Sequence, residues 1–257
     1  MNIFVIMKRT FDTEEKIVIN NGVIDEEGAE FIINPYDEYA IEEAIVLREA
    51  HGGEVTVITV GDEEAEKELR TALAMGADKA VLLDIEDIDG EIDHFSVSTM
   101  LTAYLKDQEY DIILGGNVAV DDGAGQVAPR VAEGLGINQV TTITKLTVDG
   151  DKATIERDVE GDIEIVETAL PLLVTCQQGL NEPRYPSLPG IMKAKKKPLE
   201  TLDLDDLDLE EEDVEAKTKT TDRFLPPEKG EGKILEGDVN DQVKELIDLL
   251  KNEAKVV

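Results

Sequence analysis

Side chains able to carry covalent or acid–base chemistry are few in this chain, and their spacing excludes more than it offers. His51 closes a helical pattern and His94 lies in an acidic loop; neither has a cysteine or second histidine at metal-ligand spacing, so no metal site is expected. The single cysteine, Cys176, ends the apolar run LPLLVTC, where a thiol behaves as a small buried hydrophobe and not as a nucleophile. No nucleophile elbow and no GxxxxGK[ST] loop occurs. Carboxylates are so abundant, 59 in all, that no pair stands out as an acid and its base. No catalytic residue is therefore expected. What the residues do offer is a cradle for phosphate. Asp111 to Leu114 reads as a strand and runs into Gly115-Gly116-Asn117-Val118-Ala119-Val120-Asp121-Asp122-Gly123-Ala124-Gly125-Gln126-Val127. Its glycines let the backbone pass close to a ligand, and the following helix aims its first N–H groups at an anion. The segment Gly123 to Ala128 fits GxGxxA but does not follow the strand directly, and the acidic residue expected about 20 positions on is missing. A Gly-rich turn before a helix is the competing reading. The position of the loop, at the carboxyl end of a parallel strand, favours a nucleotide.

A second stretch carries recognition rather than reaction. Residues 180–198, LNEPRYPSLPGIMKAKKKP, hold Pro183, Pro186 and Pro189, which predict neither helix nor central strand. Leu180, Tyr185, Leu188, Ile191 and Met192 are too apolar for an idle linker, and Lys193, Lys195, Lys196 and Lys197 follow. A stiff, partly apolar loop backed by cations suits docking, with a Pro-rich connection packed on its own domain as the alternative.

The elements that must position these loops follow from periodicity. NIFVIM (residues 2–7) is a continuous apolar run, the mark of a strand buried on both faces. Lys16 to Ile24, with Asn20-Asn21-Gly22 inside it, predicts a hairpin. Helices are predicted from Asp37 to Ala50, Glu63 to Met75 and His94 to Lys106, alternating with strands at Glu54 to Val60, Ala80 to Leu83 and Asp111 to Leu114. That order gives an α/β fold: a parallel sheet with helices on both faces, Rossmann-like and of the adenine-nucleotide-binding kind. ITKLTV, KATIER, DIEIVE and LLVTC, separated by turns, predict a small antiparallel extension or sheet edge. Residues 199–215 are acidic with isolated leucines and cannot build a core alone. Residues 240–254 return to a helix with Val243, Leu246, Ile247 and Leu250 on one side. The expected division is a nucleotide-binding domain over 1–198 and an extended C-terminal arm over 199–257, ending in that helix. An arm laid on another subunit and an arm folded back on its own domain fit the pattern equally.

Composition bounds the rest. A chain of 257 residues can bury a substantial core. A net charge of −34 repels nucleic acid and anionic lipid. No window reaches the roughly 18 consecutive apolar residues of a membrane span, so no membrane insertion is expected. The start, MNIFVIMKR, lacks the pattern of a secretory signal, and one cysteine precludes an internal disulfide, so the expected compartment is cytoplasmic.

NEPRYPSLPGIMKAKKKP closely resembles the signature of the electron transfer flavoprotein beta subunit. Three further segments are similar to that family: Met7-Lys8-Arg9, Asn34-Pro35-Tyr36-Asp37-Glu38, and LRTALAMGAD from Leu69 to Asp78. The resemblance implies an electron carrier without side-chain catalysis, an obligate heterodimer with an alpha subunit, and one redox FAD shared with alpha. It implies dehydrogenases, acyl-CoA dehydrogenases among them, as electron donors and a membrane quinone reductase as acceptor. It also implies an AMP of structural role in the beta subunit. Carried onto this chain, the nucleotide would contact Ile6, Val60, the segment Asn34, Pro35, Tyr36 and Asp37, and the loop residues Gly116, Asn117, Ala119, Val120, Asp121, Asp122, Gly123, Ala124, Gly125, Gln126 and Val127. Tyr36 would lie nearest the FAD. Glu182, Pro183, Arg184, Tyr185, Leu188, Pro189, Ile191 and Met192 would dock partner dehydrogenases, with Leu188 as the anchor. One departure matters. AMP-type members carry Asn-Gln-Thr where this chain has Gly125-Gln126-Val127, which is more similar to the electron-bifurcating branch. There a second FAD replaces AMP and NADH is oxidised, and Gly125 removes bulk that would oppose a larger ligand. From another class, a stand-alone nucleotide-binding regulator of the universal-stress type would share the core but leave the loop and arm idle. An ATP-using ligase or pyrophosphatase would need a Ser-Gly-Gly phosphate loop where this chain reads Lys8-Arg9-Thr10-Phe11-Asp12.

Overall fold

Strand β1 (Asn2–Ile6) sends Ile3 and Val5 into one hydrophobic layer and Phe4 into another, all buried. This alternation, with both faces apolar, fixes a sheet covered on its two sides. The computed structural model describes residues 1–227, 230 and 232–256. After β1, the short pieces β2 (Arg9–Phe11), β3 (Ile19–Asn20), β4 (Val23–Ile24) and β5 (Phe31–Ile33) make two small ribbons. The β3–β4 turn is Asn21-Gly22, both with positive φ, as the Asn-Gly pair predicts. The chain then alternates α1 (Pro35–His51), β6 (Glu54–Gly61), α2 (Glu66–Met75), β7 (Lys79–Asp84), α3 (His94–Leu105), β8 (Ile112–Gly116) and α4 (Val127–Leu135). The meander β9 (Asn138–Asp149), β10 (Lys152–Val159) and β11 (Asp162–Ala169) follows, then β12 (Leu172–Cys176), α5 (Leu188–Ala194), β13 (Leu199–Leu202) and, far along the arm, α6 (Val239–Asp248).

Nine strands form one sheet in the order β11-β10-β9-β12-β8-β1-β6-β7-β13. From β12 to β13 every pairing is parallel, while β9, β10 and β11 pair antiparallel. Helices α1 and α2 cover the face of Ile3 and Val5, and α3 and α4 cover the face of Phe4. The fold is the α/β, Rossmann-like architecture that the alternation predicts, with its antiparallel extension.

Three elements sit differently from the sequence expectation. LLVTC is no part of the antiparallel extension: β12 lies between β8 and β9, parallel to both, and every residue of it is buried. A continuous apolar run is what a strand covered on both faces requires. Residues 188–194 form a short helix despite Pro189, because that proline falls in the first turn, where its missing N–H costs no hydrogen bond; Ser187 caps it by accepting from the Gly190 N–H. Finally, residues 199–216 close onto the domain. Strand β13 pairs with β7, and Leu207 and Val214 are buried in the α3–α4 layer. The division at 198 thus falls inside the sheet. Helix α6 leaves Val243, Leu246 and Ile247 exposed.

Candidate functional site

The carboxyl ends of β1 and β8 are neighbours, with Ile6 paired to Gly115, so the loops that leave them face each other. Between them lies a cavity of about 390 Å³, within the roughly 300–1,000 Å³ of small-molecule sites. Its walls are apolar where the sheet and α3 supply them, through Ile6, Val60, Val97 and Leu101, and polar where the loops do.

Asn34 organises the polar side. Its buried side chain donates from Nδ2 to the Val118 carbonyl (2.9 Å) and accepts from the Val120 N–H at Oδ1 (3.1 Å), which pins the glycine loop to the start of α1. Asp37, in the first turn of α1, is buried and accepts the backbone N–H groups of Lys8 (2.7 Å) and Gly116 (2.8 Å). Burial pushes its carboxyl from the ordinary 3.8 up to about 7, against the pull of those bonds. Gly116 is required by contact: a Cβ there would collide with the Asp37 carboxylate and with Tyr36. Asn117 accepts from the Thr175 hydroxyl (3.1 Å), and its N–H reaches the Cys176 carbonyl (3.0 Å), which fixes the root of the loop on β12.

Across the mouth, Lys8 Nζ donates to Asp121 (2.8 Å) and Asp122 (2.9 Å), and His94 Nε2 lies 3.1 Å from Asp122. Burial opposes ionisation of Asp122, but the N–H of Ala124, Lys8 and His94 outweigh it and lower the carboxyl to about 2. Helix α4 then begins with no side-chain cap, leaving its first N–H groups free for an anion. The uncapped helix start and the close glycine backbone suit a phosphate group, beside a cavity of small-molecule size. Gly125 has φ +58°, and a Cβ on it would meet the Asn117 carbonyl at 3.2 Å, so its lack of a side chain serves the loop's own turn at the cavity wall.

Among the expected contacts, Ile6, Asn34, Asp37, Val60, Gly116, Asn117, Ala119, Asp122, Gly125, Gln126 and Val127 border the cavity together. The others stand off it. Pro35 starts α1, half-buried Tyr36 packs against Gly116, Val120 is 41% exposed, and Asp121 pairs with Lys8. Gly123 turns at φ +62°, and Ala124 donates to Asp122. The cavity also gathers Lys8, Asp93, His94, Thr218 and Thr220. Of these, Lys8 lies in the family-like segment Met7-Lys8-Arg9, and Asp93 carries a local signal, the capping box with Ser96 that opens α3.

The docking stretch is mounted elsewhere, on α1 and α2. Arg184 forks onto the buried Glu42 (Nε to Oε2, 2.8 Å) and reaches Glu49 (2.8 Å), and Asn181 donates to the Tyr39 carbonyl and to Glu43 (3.0 Å each). Held so, the loop presents Tyr185 (94% exposed), Leu188 (80%), Met192 (73%) and Ile191, with Glu182 and Pro189 exposed beside them and Pro183 half-buried. Lys197 leaves this surface: its ammonium turns inward to the Leu73 and Ala77 carbonyls that end α2, a helix C-terminus favouring a cation.

A parallel sheet with a glycine loop and ligand cavity at its carboxyl edge defines a Rossmann-like α/β protein of the ligand-binding kind. A family model, the electron transfer flavoprotein domain, matches residues 21–207. The chain is 69% identical over 257 residues to the electron transfer flavoprotein subunit beta of Bacillus subtilis (strain 168), covering all of both chains. It is 40% identical to the subunit of the same name from Syntrophomonas wolfei, over 100% of this chain and 98% of that one. It is 35% identical to the caffeyl-CoA reductase-Etf complex subunit CarD of Acetobacterium woodii, over 98% of each. The chain belongs to the electron transfer flavoprotein beta subunit family. Among the described residues no helix is long and apolar enough to cross a membrane.

Proposed function

We propose that this chain pairs with an alpha subunit, that the pair holds one redox FAD, and that it carries electrons from flavin dehydrogenases, acyl-CoA dehydrogenases among them, to a membrane quinone reductase in a cytoplasmic setting. FAD supplies the electron chemistry. This chain's own residues dock, position and exclude water. The observation that carries the reading is the clamped ridge of Tyr185, Leu188, Ile191 and Met192: large apolar side chains held out to solvent by a forked Arg184–Glu42 pair are what a recognition surface needs. Tyr36 faces the alpha side in this reading. The arm beyond residue 220, with Phe224, Leu225 and the apolar side of α6 exposed, lies along the alpha subunit.

In the cavity, AMP is the proposed ligand. Asn117, Ala119, Gln126 and the first N–H groups of α4 would receive its phosphate, while Ile6 and Val60 flank the base. A second reading, a bound second FAD with NADH oxidation, is favoured only by the Gly125-Gln126-Val127 sequence. Co-expression with the alpha subunit and quantification of the nucleotides released on denaturation separates them. One FAD and one AMP per heterodimer is expected. Two FAD and no AMP would move the assignment to the bifurcating branch, and a colourless chain that binds no alpha subunit would overturn both.

A further inference from the structure

Residues 217–220 run along the mouth of the cavity, and Thr218 and Thr220 both line it. Their attachment is specific. Oδ2 of Asp93 accepts the backbone N–H of Lys217 (2.9 Å), the backbone N–H of Thr218 (2.8 Å) and the Thr218 hydroxyl (2.8 Å). Oδ1 of the same carboxylate caps α3 through Phe95 (2.9 Å) and Ser96 (3.1 Å). The Lys217 ammonium lies 5.0 Å from the Phe95 ring centroid, a cation–π contact to the same helix turn. The next residue, His94, holds the opposite lip through Asp122. Two consecutive residues at the start of α3 thus tie down both sides of the opening.

We propose that Asp93 latches residues 217–220 as a strap over the bound nucleotide, and that exchange of the nucleotide requires this latch to open. The proposal rests on the nucleotide reading above. Upstream the strap has a fixed root, since Val214 is buried in the α3–α4 layer. Downstream, residues 221–227 are exposed within this chain, so among the described residues it is Asp93, with the Lys217–Phe95 contact, that holds the strap to the cavity mouth. All three of its hydrogen bonds go to one ionised oxygen and are charge-assisted, so they break together. Asp93 is therefore a positioning residue: it shapes the site through the strap.

The test uses the co-purified heterodimer and follows release of bound AMP by exchange against carbon-14 AMP. Asp93→Ser keeps a side chain able to cap α3 but too short to reach the strap. Thr218→Val removes one donor and leaves Asp93 intact. Asp93→Ser is expected to speed release about tenfold or more and Thr218→Val severalfold, with FAD content close to that of the unaltered protein. Bound AMP with unchanged release in both variants overturns the latch alone. A preparation that never holds a nucleotide in the beta subunit overturns the nucleotide reading and the latch with it. Should Asp93→Ser not fold, Thr218→Val decides.

Discussion

Asp37 shows how one side chain can serve architecture at a cost that depends on pH. Its two accepted N–H groups, from Lys8 and Gly116, join the ends of β1 and β8 beside the cavity. Its folded-state carboxyl titrates near 7 instead of 3.8. Between about pH 4 and 7 the folded protein keeps a proton that the unfolded chain has lost, so this group's contribution to stability falls as pH rises through that window and is level above it. At 1.36 kcal/mol per unit the whole change is on the order of 4 kcal/mol. Asp37→Asn removes the titration. Relative to the unaltered protein, the variant should gain stability steadily from pH 4 to pH 7, read from urea unfolding at several pH values. Parallel pH profiles for the two proteins would show that Asp37 is not the group titrating. None of this was legible in sequence, where Asp37 is one acid among many in NPYDE. The partners that bury it come from residues 8 and 116.

At the scale of elements, periodicity predicted α1, α2, α3 and the parallel strands β1, β6, β7 and β8 to within about three residues, because each has a dense apolar run, and glycines stop α1 and α2. Gly76, at φ +151°, ends α2 where LRTALAMGAD predicts it. What local pattern could not carry was neighbour choice. LLVTC reads the same at an edge or in the centre, and only its pairing with β8 and β9 decides. The docking loop was legible as a surface, yet its clamp was not. Arg184 sits among the exposed residues in sequence but binds Glu42 and Glu49 on α1, more than a hundred residues away. In the proposed docking, Arg184 would orient the loop and Leu188, at the start of α5, would make the contact. Leu188→Ala should weaken partner binding by on the order of 2 kcal/mol, seen as a raised apparent KM for the partner dehydrogenase at unchanged FAD content. Loss of FAD instead would make the loop structural.

For the whole molecule, the boundary drawn from composition was misplaced because acidic residues hide a strand. LETL pairs with β7 through its backbone, and the isolated leucines of the acidic segment, with Leu207 and Val214 buried and Leu202, Leu204 and Leu209 packed beside them, seal the α3–α4 layer. Two truncations should separate the parts. Ending the chain after Pro198 opens the β7 edge and uncovers that layer, and aggregation on size-exclusion chromatography is expected. Ending it after Thr220 leaves the sheet and strap complete, and a folded monomer that no longer retains the alpha subunit is expected. A soluble, two-state product from the shorter chain would mean that residues 199–220 are dispensable. The position of β12 bears on how the molecule is made. A ribosome delivers β8 first, then the whole meander, and only afterwards the strand that must slide between them. Until Leu172 to Cys176 emerge, β8 and β9 each lack the native neighbour that joins them, so the two halves of the sheet can be united only by a strand made after both.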